Sequence, residues 1–224
     1  MSWLLDRLNS SIGKKIIMAI TGLSLLFFLV IHLVNNLLLF AGPEVFNKNV
    51  EQLESIKPII RVVEVVLLLI FALHIYNALK LYFENKKAKP LKYAVDASSQ
   101  NSTFYSRYMT VSGIIILVFL IIHLATFWKT FNFDAHKLEV EFPFYTIVQD
   151  AFANPIISIF YIVVMFFLGI HLNHAFQSAF QTFGLRNKKF TWVIEKFGTL
   201  IAIVITIGFA SIPVIFYIAS LGGK

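Results

Sequence analysis

The sequence predicts an all-α integral membrane protein of five transmembrane helices, four gathered into a bundle and the fifth peripheral to it. Three observations carry this. The chain of 224 residues is 58% hydrophobic and only 14% charged, whereas soluble domains are about 25% charged. Its apolar residues fall into five long runs, at 16–41, 59–79, 108–128, 154–183 and 197–219. Each is close to or above the roughly 20 helical residues that cross a bilayer core of about 30 Å. Histidines lie within the first four runs and are missing from the fifth.

Residues 1–14 precede the first run. Trp3, Leu4, Leu5 and Leu8 interleave there with Asp6 and Arg7, the pattern of a short helix lying along a membrane interface, where it could serve docking. The run 16–41 is too long for a signal-peptide core and is followed by further spans, so no cleavage is expected. Gly42-Pro43 closes it, Lys57-Pro58 opens the second run, Asn154-Pro155 opens the fourth and Gly184 follows it, as helix breakers and starters should. Glu64 is the one charge well inside a run. It can pair with Arg61 at the interface and carries little functional weight.

Orientation follows from the basic residues. Of the 19 Lys and Arg residues, thirteen lie in the N-terminal segment and the loops on that side, and six on the other. The excess places the N-terminus in the cytoplasm and the C-terminus outside, the two sides called inner and outer below. The net charge of +7 thus serves topology, and nucleic acid is discarded as a partner. The absence of cysteine excludes disulfides, thiolate ligation and any iron–sulfur cluster held by this chain.

Five of the six histidines lie in the runs: His32, His74 and His123, one in each of the first three, and His171 with His174 in the fourth. One intramembrane histidine is most often a helix-packing hydrogen bond, but the same oddity on four helices asks for a common cause. Helical rise supplies it. His32 lies 17 residues beyond Lys15 and His123 lies 16 beyond Arg107, so both sit about 25 Å from the inner boundary. His74 lies 16 residues after Pro58 and His171 16 after Pro155, so both sit about 24 Å from the outer boundary. Two level pairs result, roughly 15 to 20 Å apart along the membrane normal.

A pair of neutral imidazoles at one depth is what a six-coordinate haem needs, one nitrogen on each side of the iron. The bundle is therefore read as a haem-binding one, holding two b-type haems. With both axial positions filled, the work of such an iron is electron transfer. Thr21-Gly22 precedes His32 and Ser112-Gly113 precedes His123 at the same spacing. Eleven residues is about three turns, which places Thr21 and Ser112 on the faces of their histidines but about 16 Å deeper, at the inner level. Small residues there would make room for the inner macrocycle, ordinary small-residue packing being the alternative. Spacing alone does not exclude His174 as a ligand, although the depth of His171 better matches His74. His136, among Asp134, Lys137 and Glu139, is expected to be solvated.

These residues resemble a known family over essentially the whole chain: the single-subunit, five-helix diheme cytochrome b membrane anchor of succinate dehydrogenase and fumarate reductase. The resemblance rests on Ser11-Ile12-Gly13-Lys14-Lys15, Thr21-Gly22-Leu23 followed by His32, Lys57-Pro58 opening the helix of His74, Ser112-Gly113 leading to His123, and His171 followed by Gly184. It implies His32 with His123 for the outer haem and His74 with His171 for the inner one, the pairing that depth gives independently. It further implies a bacterial cytoplasmic membrane, a cytoplasmic face that docks an iron–sulfur protein and a flavoprotein, and electron exchange with a quinone, menaquinone by analogy with diheme anchors. The heterotrimer could form a higher oligomer. Glu54 matches an acidic residue that the family's quinol:fumarate reductases place near an outer quinone site, where it could accept a proton. The alternative is a solvated loop acid beside Glu51. Some members carry a glutamate two residues before the fourth-helix ligand, and here that position is Gly169, which puts their transmembrane proton route in doubt.

The leading expectation is thus the electron-transferring membrane subunit of a succinate:quinone oxidoreductase, an enzyme subunit whose dicarboxylate chemistry belongs to a partner's flavin. Another diheme cytochrome b anchor is a second reading, and a transporter whose histidines relay protons or bind metal a third. The third would favour polar neighbours, whereas Ile31, Leu33, Ile122, Leu124 and Ile170 are apolar.

Overall fold

The structure, a computed structural model, describes residues 9–87, 107–187 and 189–222. Residues 1–8 of the expected interfacial segment, with Arg7, and the loop residues Lys89, Lys92, Lys188 and Lys224 lie outside the described residues. Five helices are long and apolar enough to cross a membrane: Ser11–Ala41, Lys57–Lys87, Met109–Phe133, Pro155–Thr182 and Thr191–Gly222. They coincide with the five apolar runs and overrun most of them, because a helix need not stop where the apolar stretch does and long basic side chains can extend toward the interface.

The first span's helix begins where Ser10 caps it, its side chain accepting from the Gly13 N–H at 3.0 Å, so residues 11–14 are continuous with the helix of the first apolar run. The span tightens into a 3-10 turn at Leu38–Ala41, and Gly42, at φ 103°, redirects the chain, a conformation glycine adopts at no steric cost. The fourth span has an Asn154 cap on the Ile156 N–H at 2.9 Å with Pro155 following. It ends where Gly184, at φ 74°, lets the Leu185 N–H reach the Phe180 carbonyl at 3.0 Å, a Schellman-type close.

Two helices that the apolar runs did not mark, Pro43–Ser55 and Pro143–Ala153, lie in the outer connections. Each opens on proline, whose missing N–H costs nothing in a first turn. They pack against each other and are pinned by the Tyr145 N–H donating to Asn47 Oδ1 at 3.0 Å. Their buried faces, with Leu39, Phe46, Phe144, Ile147, Val148 and Phe152, form one core with Tyr161 of the fourth span and Phe216 of the fifth. The outer end of the bundle is therefore capped.

The first span packs on the second and the fourth, and the fourth packs on the third. Around the bundle the order is second, first, fourth, third, so first faces third and second faces fourth across the diagonals. The fifth span stands outside this ring of four and packs closely against it. It runs along the fourth more extensively than any other two helices pair and also touches the first. Small residues explain this closeness, as they do wherever membrane helices approach. A Cβ on Gly198 would lie 2.6 Å from Phe176 Cδ1 and one on Gly208 2.8 Å from Leu33 Cδ1, and Ala202 is buried between.

Polar ties close the bundle at both ends. At the inner end, Lys14 of the first span donates to both carboxylate oxygens of Glu84 on the second, at 2.6 Å. Lys14 is only 6% exposed, so this member of the basic set is committed to an interhelix contact. At the outer end Arg61 and Glu64 of the second span meet Trp128 and Asn132 of the third. Directly after His123, the third span widens into a π-helical turn at Leu124–Trp128, an irregularity that occurs mostly as single turns and frequently at functional sites.

Candidate functional site: two histidine pairs across the bundle

The structure brings four histidines together in two pairs, each across a diagonal. The His32 and His123 ring centres are 5.8 Å apart at an interplanar angle of 86°, and those of His74 and His171 are 6.5 Å apart at 61°. The ring neighbour of His74 among the described residues is therefore His171, while His174 lies almost one turn further along the fourth span. A metal bound at about 2 Å to one nitrogen of each ring, with about 1.2 Å from nitrogen to ring centre, would set the centres about 6.3 Å apart. The two observed separations bracket that value. Among the described residues, no group of three or more His, Cys, Asp or Glu side chains is placed to hold a metal ion.

The inner pair is held by hydroxyls. Thr21 Oγ1 lies 3.0 Å from His74 Nδ1, and Ser112 Oγ lies 3.3 Å from His171 Nδ1. Each hydroxyl has one proton, and each gives it to its own helix: Thr21 to the Ile17 carbonyl at 2.8 Å, Ser112 to the Met109 carbonyl at 3.0 Å. With the hydroxyl proton on the helix carbonyl, each oxygen can accept from a ring protonated at Nδ1, the tautomer that leaves the Nε2 lone pair for a metal. Both residues are deeply buried, at 4% and 0% exposed. Beside them, a Cβ on Gly22 would lie 3.5 Å from His74 Cε1 and one on Gly113 3.7 Å from His171 Cε1. The Thr21-Gly22 and Ser112-Gly113 steps therefore lie directly against the inner histidine rings, the hydroxyls at the ring nitrogens and the glycines at a distance where a Cβ would make ordinary contact. Room for a macrocycle was the expected role, and the four residues do stand at the level of the inner pair, beside its rings.

The outer pair is held by aromatic rings. Phe28 stacks on His32 at 5.3 Å and 16°, and Phe119 stacks on His123 at 5.4 Å and 25°. Phe209 of the fifth span flanks His32 at 5.6 Å, and Phe127 flanks His123 at 5.6 Å. Polar partners are more distant here: Tyr161 Oη is 3.4 Å from His123 Nδ1, and Asn36 Nδ2 is 3.4 Å from His32 Nδ1. The stacking phenylalanines were missed in the sequence, although each stands four residues before its histidine and six after the glycine. The repeat Thr/Ser-Gly, then Phe, then His at common spacing in the first and third spans was the signal that could have found them.

The acidic candidates separate by position. Glu54 ends the outer helix Pro43–Ser55, and its Oε1 accepts from Lys57 Nζ at 3.1 Å and meets His136 Nε2 at 3.3 Å. His136 is thus not merely solvated, since it also stands edge-on to Phe144 at 6.0 Å. Glu64 pairs with Arg61 as expected and also accepts from Trp128 Nε1 at 3.0 Å. Gly169 faces the fifth span, where an added Cβ would run into Thr206 Oγ1. A longer side chain at that position would have to displace Thr206.

Comparison with protein-family models, curated proteins and solved structures finds no match to this chain.

Proposed function

We propose that this chain is the diheme cytochrome b membrane subunit of a succinate:quinone oxidoreductase, passing electrons between a membrane quinone and partner iron–sulfur and flavoprotein subunits. The observation that carries the reading is the pair of imidazole pairs, each drawn from diagonal helices and each at a separation that suits one iron. His32 and His123 would hold the outer haem b, His74 and His171 the inner, with Thr21, Gly22, Ser112 and Gly113 seating the inner ligands. A bis-imidazole haem supplies reversible one-electron transfer. The chain's own contribution is to orient the inner rings with the Thr21 and Ser112 hydroxyls, to exclude water from the outer pair with Phe28, Phe119, Phe127 and Phe209, and to hold the two sites at two depths.

The rest of the proposal comes from the resemblance and the charge pattern. The membrane is the bacterial cytoplasmic one, the N-terminus and the partner subunits lie on the cytoplasmic face, and the quinone is menaquinone. The test is a dithionite-reduced minus oxidised optical spectrum of the purified complex with a pyridine haemochrome count. Two b-type haems per chain are expected. A chain purified without haem would sink the proposal and leave a histidine-bearing transporter in first place.

A further inference from the structure

An imidazole on an iron keeps one soft adjustment, rotation about its Cβ–Cγ bond, because a torsion between a tetrahedral and a planar atom is broad and shallow. Weak neighbours therefore decide the plane of the ring. At the outer pair the two planes stand 86° apart, within a few degrees of the largest angle that two planes can make. Phe28 lies nearly parallel to His32, at 16°, and Phe119 nearly parallel to His123, at 25°. The polar contacts of these two rings begin at 3.4 Å, so no short hydrogen bond sets the planes instead.

Spacing along a helix does not produce this stacking by itself. Phe167 precedes His171 by four residues, just as Phe28 precedes His32 and Phe119 precedes His123. Among the described residues, however, the ring beside Phe167 is Phe166, at 5.8 Å, and His171 meets the Ser112 hydroxyl instead. The outer stacks are also braced. Phe119 meets Tyr161 edge-on at 4.9 Å and Phe160 at 6.1 Å, both on the fourth span, while His32 also meets Phe209 of the fifth span at 5.6 Å. Aromatic pairs at such separations attract by roughly thermal energy or more, which is enough to hold a shallow torsion in place.

We propose that Phe28 and Phe119 are positioning residues of the outer site, each holding the plane of its histidine so that the two imidazoles stand crossed on one haem iron; this rests on the function proposed above. The consequence is electronic. The filled π orbital of an imidazole acts on the iron d orbital that lies across the ring plane. Parallel rings both raise the same d orbital, whereas crossed rings raise one each and leave the two nearly equal in energy. With both axial positions filled, the work of the iron is electron transfer, and these are the orbitals between which the ferric hole is shared. The angle that the two phenylalanines hold therefore tunes the group that does the work.

The ligand-plane angle is read from the low-field line of ferric haem in electron paramagnetic resonance, which moves to higher field as crossed rings turn parallel. The experiment records that line on the oxidised, purified complex beside the haem count, the outer haem's line being the one lost in His32→Ala. Phe28→Leu and Phe119→Leu keep apolar bulk but offer no flat face. Each is expected to retain both haems and to shift the outer line to higher field, since an angle of 86° can only fall when released. The double variant is expected to shift it further, with the inner line unmoved in all three. Phe28→Tyr keeps a flat ring and is expected to keep the line, and Phe167→Leu is expected to move neither line. An outer line that stays put or moves to lower field in either leucine variant would overturn the proposal, as would an inner line moved equally by Phe167→Leu. Should a leucine variant lose the outer haem, Phe28→Tyr decides: an unchanged line upholds the flat ring as the determinant, and a lost or shifted line overturns it. Absence of haem from the unsubstituted complex would instead count against the function itself.

Discussion

The inner and outer histidine pairs solve the same geometric problem by different means. The inner pair is aimed by polar contacts of 3.0 and 3.3 Å between ring Nδ1 and hydroxyl oxygens that can accept from it while donating to helix carbonyls. The outer pair is wedged between stacked phenylalanines, with its polar partners at 3.4 Å. A hydrogen bond to the distal ring nitrogen fixes tautomer and basicity, while stacking fixes position and excludes water without choosing a tautomer. The inner site should thus be electronically rigid and the outer one sterically rigid. Both devices sit on the same two helices, since the first and third spans each carry an outer histidine and an inner hydroxyl.

The largest effect that separates the pairs is loss of a ring. His74→Ala should lower the haemochrome count from two to one per chain and leave the spectrum of the outer haem unchanged, because its cage of Phe28, Phe119, Phe127 and Phe209 does not involve the second span. His32→Ala should do the converse, since Thr21 lies three turns away and keeps its hold on His74. Loss of both haems from either variant would show that the pairs are one cooperative unit and erase the distinction.

Much of this was legible in the sequence because helical rise is nearly invariant: counting residues from Lys15, Pro58, Arg107 and Pro155 placed the four histidines at two depths without knowledge of the packing. What counting cannot supply is azimuth. Thr21 and Ser112 were placed at the right level, but that their hydroxyls meet the ring nitrogens of His74 and His171 depends on how neighbouring helices rotate. How closely the fifth span would pack on the fourth and first was not read, although Gly198, Ala202 and Gly208 were already the marks of a close-packed face. The outer helices escaped because Pro43–Ser55 is polar on average, so apolar run length could not mark it. Phe28 and Phe119 were hidden among 24 phenylalanines, where only the repeat between the spans sets them apart.

A smaller effect would test the hydroxyl clamp. Thr21→Val keeps the shape and leaves the His74 Nδ1–H without an acceptor. A net hydrogen bond of about 1 kcal/mol corresponds to about 40 mV for a one-electron couple. The sign follows from basicity: a ring that no longer donates is a poorer electron donor to ferric iron, so the inner potential should rise by about that amount. Thr21→Ser should restore it and the outer potential should not move. Equal shifts in both haems would mean that the substitution acts through packing.

The smallest effect is expected at Tyr161, and its smallness is the sharpest test of the contrast. Tyr161 is buried and close to His123, which by proximity alone would make it the outer counterpart of Thr21. Its Oη lies 3.4 Å from Nδ1, however, against 3.0 Å for Thr21 Oγ1 to His74 Nδ1. Its ring packs against Phe119 at 4.9 Å and Phe152 at 5.1 Å. Tyr161→Phe keeps that packing and removes only the long polar contact, so it should shift the outer potential by less than about 20 mV, half the effect of a full hydrogen bond. A shift as large as that of Thr21→Val, measured by redox titration of the same spectral band, would show that haem binding draws Tyr161 into a true hydrogen bond and that both pairs are then set by polar contacts.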